Sequence, residues 1–319
     1  MSRDTRTKPS ARESAEGLLT DFRQGSLRAL SRLISLAENA DPRAAGLLAQ
    51  LYPGAGQARL LGLTGPPGAG KSTLTNALVR FHREAGEKVA VIAVDPVSPF
   101  TGGALLGDRI RLVDHFNDPG VYIRSLSTRG KLGGLSLATR EVCHAVDAFG
   151  FRQILLETVG VGQSEVDVRK IADLTLVVLV PEWGDGVQAL KAGVLEIGDI
   201  FVVHKADREG ADRVVQELRN ALALSGKQDL PVLTTSIHDP ASLQNLFTAV
   251  GQAFADRAAA IAARRRAAVR ETLLDLLESR MLAAARGWAE RQPESGNANP
   301  YQAMAELEKS GPWKALFPS

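Results

Sequence analysis

From Arg59 to about Val250 the chain alternates short apolar runs with longer amphipathic ones. The short runs are Leu60 to Leu63, Val89 to Val94, Val121 to Ile123, Ile154 to Leu156, Leu174 to Val180, Ile200 to Val203 and Val232 to Thr235. Branched aliphatic residues dominate them, and they are too brief for helices. Helical spacing fills most of the gaps, which predicts βαβ units and a mainly parallel, helix-covered sheet. In such sheets ligands sit at the carboxyl ends of the strands.

On either side the pattern is helical. Leu18, Leu19 and Phe22, then Leu27, Leu30, Leu33 and Ile34, then Leu47 to Leu51 after Pro42, predict a helical prelude. From roughly Pro240 onward the helical pattern returns, with Leu273, Leu277 and Met281 four apart and Leu274, Leu282 and Trp288 nearby. That stripe could pack on the α/β domain or on a second copy. The expected regions are an N-terminal helical extension over 1–56, an α/β domain over 57–255 and a C-terminal helical arm over 256–319.

Composition narrows the function classes. The chain has 319 residues, 45% hydrophobic and 23% charged, as ordinary globular proteins do. A net charge of +2 without a dense basic stripe gives no case for nucleic acid. The one tight basic run, Arg264-Arg265-Arg266, reads as a solvated helix face. No apolar stretch approaches the roughly 18 residues of a membrane span. The polar N-terminus lacks an apolar export signal and reads as a frayed tail. One cysteine, Cys143, excludes an internal disulfide framework and suits a cytoplasmic location. It falls in an apolar helical pattern, as a buried small hydrophobe would.

The candidate chemistry begins at Gly65-Pro66-Pro67-Gly68-Ala69-Gly70-Lys71-Ser72. This run follows an apolar segment and precedes a helical one starting at Thr73, the context in which G-x-x-x-x-G-K-[ST] is a phosphate-binding loop. The glycines let successive N–H groups face a phosphate, and the helix N-terminus adds positive partial charge. Lys71 is expected to reach the β- and γ-phosphates and Ser72 to ligate Mg²⁺.

Further candidates fall at strand ends. Asp95 closes its run and could bind Mg²⁺ directly or through water. Asp108 follows a glycine-bearing loop and could approach the metal or the attacking water. Glu157 and Gly160 keep the acid-x-x-glycine spacing with which GTPases face Mg²⁺ and sense the γ-phosphate. Asp185, Gln188 and Lys191 share one face of a helix start, which by pattern alone reads as solvated. His204-Lys205-Ala206-Asp207 stands where GTPases carry Asn-Lys-x-Asp. Asp207 would accept two hydrogen bonds from guanine, a pattern adenine cannot supply. Lys205 would cover the base, and His204 cannot copy both functions of an amide, so binding should weaken by about 1 kcal/mol. Ser236 suits a backbone contact to the guanine carbonyl, with Ile237 in place of the usual alanine and His238 beside it.

Taken in order, these motifs resemble the MeaB/ArgK family of P-loop GTPases, with Glu157 to Glu165 the most discriminating run. The resemblance covers about Ala15 to Pro318. It implies GTP and GDP as ligands, Mg²⁺ as cofactor, and a homodimer embraced by the C-terminal arm. It also implies a role as chaperone of an adenosylcobalamin-dependent acyl-CoA mutase, methylmalonyl-CoA mutase or a related enzyme. Such a chaperone gates cofactor loading and helps eject an inactivated cofactor. By the same resemblance, Asp185 to Lys191 is a third switch loop whose Lys191 stabilises charge at the β–γ bridge, with Gln188 and Asp185 holding it. Two alternatives differ in chemistry. A nickel or zinc metallochaperone needs clustered soft ligands, whereas Cys143 stands alone and His82, His115, His144, His204 and His238 are scattered. A kinase of a transport system would meet a periplasmic substrate, which a chain without an export signal does not.

Overall fold

The computed structural model describes residues 14–95, 115, 117–127, 134–158, 164–181, 193, 195–290, 299, 301–302 and 304–305. All seven expected strands are present: β1 (Arg59–Thr64), β2 (Val89–Asp95), β3 (Val121–Ser127), β4 (Gln153–Thr158), β5 (Leu174–Leu179), β6 (Ile200–His204) and β7 (Val232–Thr235). They form one sheet in the order β3-β2-β4-β1-β5-β6-β7, every pairing parallel. Parallel neighbours need crossovers, and helices supply them.

Side-chain alternation assigns each strand residue to one face. Ala90, Ile92, Val94, Ile154 and Leu156 join one apolar cluster, while Val89, Val91, Leu155, Leu61 and Leu63 join another. The first cluster is completed by the prelude: α1 (Ala15–Arg23), α2 (Leu27–Glu38) and α3 (Pro42–Leu51), together with α5 (Gly134–Ala148). Each prelude helix starts on a side-chain cap. Ser14 accepts from Gly17 N at 3.1 Å, Ser26 from Ala29 N at 3.3 Å and Asp41 from Arg43 N at 2.9 Å. Cys143 is buried in α5, where desolvation pushes its thiol up to about 12. It is an inert packing residue.

The opposite face is covered by α4 (Lys71–Glu84) and by a later helix over Pro240–Asp256. Between them in sequence come α6 (Ser164–Ile171), the short α7 (Leu195–Ile197) and α8 (Ala211–Leu224). The Pro240–Asp256 helix is therefore α9, capped by Asp239, and α10 runs over Ala258–Ala289. The chain forms two compact units, Met1–Thr272 and Leu273–Ser319, with the boundary inside α10. In the second unit Leu273, Leu274, Leu277 and Leu282 are exposed.

The basic run is not a solvated face. Arg265 Nε donates to Asp173 Oδ1 at 2.7 Å, and its Nη1 donates to the Gly56 carbonyl at 2.6 Å. Its Nη2 donates to Asp173 Oδ2 and to the Ala58 carbonyl. Arg264 donates to the Asp173 carbonyl at 2.8 Å, and Arg266 alone is exposed. Asp173 immediately precedes β5 at the amino-terminal end of the sheet and is nearly fully buried, so a buried carboxylate draws the guanidinium in. Nearby, Asp199 pairs with both Arg169 of α6 and Arg257, the latter at 2.5 Å.

Candidate nucleotide site

The phosphate loop leaves β1 at its carboxyl end and enters α4 at Lys71. Two glycines are demanded by geometry. Gly65 has φ 137°, and a Cβ there would fall 2.1 Å from the Val178 carbonyl oxygen of the neighbouring strand. Gly70 has φ 88° and precedes the first helical residue; a Cβ there would fall 2.4 Å from Cδ2 of His204. Any side chain at either position is both strained and blocked. Lys71 is buried, and its ammonium donates to the carbonyls of Gly65 at 2.7 Å and Pro66 at 2.9 Å. The lysine is thereby held inside the loop rather than swinging in solvent.

Sheet register aligns Glu157 of β4 with Leu63 on one side and Ala93 on the other. Its carboxylate is buried and receives Ser72 Oγ at 2.6 Å and Thr75 Oγ1 at 2.9 Å. The fully buried Thr158 hydroxyl donates to Leu63 O at 3.4 Å and Thr64 Oγ1 at 3.3 Å, tying β4 to β1 beneath the loop. A hydroxyl and a carboxylate meeting this closely are hard oxygen donors of the kind Mg²⁺ selects. The oxygens of Ser72 and Glu157 fit that ion. Above them lies a cavity of about 590 Å³, lined by Gly68, Lys71, Ser72, Thr73, Asn76 and Glu157 among others.

A second cavity, about 390 Å³, opens at the carboxyl ends of β6 and β7 and is lined by Ala206, Asp207, Thr235, Ser236, His238 and Ser242 among others. Lys205 lines the first cavity, so the chain leaving β6 runs between the two. Lys205 has φ 57°, unusual for a side chain with a Cβ, and its ammonium donates to the Gly68 carbonyl at 3.0 Å. Strained backbone of this kind gathers at functional sites. Ser236 Oγ donates to Asp207 Oδ1, and this hydroxyl holds the Asp207 carboxyl below the usual carboxylate range. Asp207 is therefore ionised and acceptor-only at neutral pH. The Ser236 N–H donates to Ser242 Oγ at 3.1 Å, while Ile237 is exposed beside it. His204 is buried, with Nδ1 3.0 Å from Thr235 Oγ1.

The structure thus brings Gly65 to Thr73, Glu157 and Lys205 together at the first cavity and Asp207, Ser236 and His238 at the second, with His204 buried against Gly70 and Thr235 and Ile237 exposed beside Ser236. Asp95 closes β2, and of its side chain nothing is described. Asp108, Gly160, Asp185, Gln188 and Lys191 lie outside the described residues. Five site residues escaped sequence reasoning: Thr75, Asn76, Thr158, Thr235 and Ser242. Thr75 was within reach, because its i+3 spacing from Ser72 puts both hydroxyls on one helix face. Among the described residues, no three His, Cys, Asp or Glu side chains gather as a metal cluster, and no helix is long and apolar enough to cross a membrane.

Comparison with known proteins agrees with this geometry. The family model described as methylmalonyl-CoA mutase-associated GTPase MeaB matches residues 30–290. A Pyrococcus horikoshii relative is 55% identical over 207 residues, 65% of this chain and 65% of its own length. The GTPase ArgK of Escherichia coli is 40% identical over 197 residues, 60% of each chain. The mitochondrial methylmalonic aciduria type A homolog of Mus musculus is 41% identical over 167 residues, 51% of this chain and 40% of its own. The matched region thus spans less than two thirds of each of these relatives. A crystal structure of an LAO/AO transport system kinase superposes with a TM-score of 0.69 over 95% of this chain and 98% of that one; at 24% identity it attests the fold. With a phosphate loop, a glutamate locked to its serine and an acid–serine pair at the base end, this chain belongs to the MeaB family of methylmalonyl-CoA mutase-associated GTPases.

Proposed function

We propose that this protein hydrolyses GTP to GDP and phosphate, and that it does so as the chaperone of an adenosylcobalamin-dependent acyl-CoA mutase. The observation that carries the hydrolase reading is the convergence of Lys71, Ser72 and Glu157 at the carboxyl end of β1 and β4, next to the Asp207–Ser236 pair. Catalysis is in-line attack of water on the γ-phosphate, where positioning and electrostatics supply most of the rate. Lys71 neutralises charge on the β- and γ-phosphates, and the loop N–H groups orient them. Ser72 and Glu157, with Asp95, would hold Mg²⁺, which would supply positive charge to the phosphates. Thr75 fixes the second carboxylate oxygen of Glu157, so the glutamate presents one rotamer to the ion. Asp207 selects guanine.

The mutase reading rests on the family. In it, Lys191 acts as a finger that the docked mutase brings to the β–γ bridge, with Gln188 and Asp185 holding it, while Asp108 approaches the metal or the attacking water. The same reading makes the protein a homodimer, and the exposed Leu273, Leu274, Leu277 and Leu282 give such an interface apolar material. The test is GTP turnover with and without candidate mutases. A cognate mutase should raise the rate by at least tenfold, and Lys191→Ala should leave basal turnover intact while abolishing the increase. Turnover that no mutase alters would remove the chaperone role.

A further inference from the structure

His204 lies between the two halves of the nucleotide site. Its ring is 2% exposed. One edge faces the phosphate loop so closely that a Cβ on Gly70 would fall 2.4 Å from Cδ2 and 2.9 Å from Nε2. The other edge places Nδ1 3.0 Å from Thr235 Oγ1, on the strand that leads into Ser236. The ring therefore touches the last residue before Lys71 and the last residue of β7 together. An asparagine could span the same gap only as a permanently neutral group, whereas imidazole can take up a proton.

We propose that His204 is a positioning residue that ties the phosphate loop to the base-reading strand and makes nucleotide binding proton-linked. The charges around it set the direction. Lys205 follows it on β6, and Asp207 lies beyond. On β7 it meets the neutral hydroxyl of Thr235. On the phosphate loop it meets Gly70, next to Lys71, whose ammonium is bonded to the carbonyls of Gly65 and Pro66. In the free protein burial, followed by the Lys205 charge, holds His204 below the ordinary histidine range, so the ring is neutral at pH 7. A di- or triphosphate cradled by the Gly70 loop brings negative charge to the ring's exposed-to-loop edge and favours the imidazolium. Linkage then requires that nucleotide bind more tightly as the pH falls through that interval.

This inference rests on guanine-nucleotide binding by the family and adds a property to it. The experiment is calorimetric titration of the full chain with GDP and Mg²⁺ from pH 7.5 to 5.5, for wild type and His204→Asn. The nucleotide's own phosphate ionisation affects both proteins alike and cancels in the comparison. Wild-type affinity should rise relative to His204→Asn by about three- to tenfold across the range, within the roughly hundredfold limit that one linked proton sets over two pH units. His204→Gln serves as a second neutral replacement should the asparagine variant fold poorly. On wild type alone, the His204 imidazole signal followed by NMR, and assigned through its contacts to Gly70 and Thr235, should titrate at higher pH with GDP than without. Parallel affinity profiles, or a ring titration that GDP leaves in place, would overturn the proposal while leaving the nucleotide site standing. Absence of GDP uptake at every pH would instead remove the guanine-nucleotide reading and this inference with it.

Discussion

Asp207 illustrates how one side chain acquires its chemistry from a neighbour distant in sequence. The Ser236 hydroxyl donates to one carboxylate oxygen and keeps the group ionised, and Asp207 lines a cavity at the strand ends. Asp207→Asn converts one acceptor to a donor, so guanine loses a partner that xanthine regains. We expect the variant to lose guanine selectivity by three to four orders of magnitude and to prefer xanthosine diphosphate, read by competition binding. Retained guanine preference would exclude Asp207 as the base reader. The motif spacing made Lys71, Ser72, Glu157 and Asp207 legible in the sequence. Thr235 and Ser242 were not, because they act through His204 and the Ser236 N–H, and local pattern carries no record of a partner on another strand or helix.

At the scale of elements, the amino-terminal end of the sheet explains how α10 begins. Arg265 satisfies two backbone carbonyls and both carboxylate oxygens of Asp173, one of which also accepts from the Leu60 N–H at 2.9 Å. Truncating the arginine leaves a buried carboxylate short of its counter-charge. Arg265 is itself about a third exposed, so water offsets part of the loss. Arg265→Ala should cost about 2 kcal/mol in denaturant unfolding, whereas Arg266→Ala, on the exposed side, should stay within about 0.5 kcal/mol. Equal effects would mean that the ion pair contributes nothing to holding the helix. A run of three arginines looks the same from sequence whether it meets water or a buried aspartate. The difference is made by Asp173, 92 positions earlier along the chain from Arg265.

For the molecule as a whole, stability and pH are linked through buried titratable groups. Burial holds His82, His144 and His204 below the ordinary histidine range, while it raises Glu141 to about 7. The histidines are protonated more readily in the unfolded chain, so their contribution is complete above about pH 6.5 and is lost as the pH falls below it. Glu141 works in the opposite sense: the folded state prefers its neutral form, so its stabilisation is present below about pH 4.5 and is lost as the pH rises to about 7. Below neutrality the two effects therefore oppose each other, and well above pH 7 neither changes thermal stability further. Glu141→Gln should raise the melting temperature at pH 8 and leave it nearly unchanged at pH 4, below the unfolded carboxyl's ordinary value of 4.5; an equal shift at both values would assign the effect to packing rather than ionisation. The sequence alone determined the order of strands and helices, the parallel sheet and the phosphate loop, because side-chain periodicity and glycine spacing are local properties. Tertiary structure decided which hydroxyls lock Glu157, which charge receives Arg265, and that His204 stands against Gly70. Those outcomes depend on distances between segments far apart in the chain, and only the folded packing sets them.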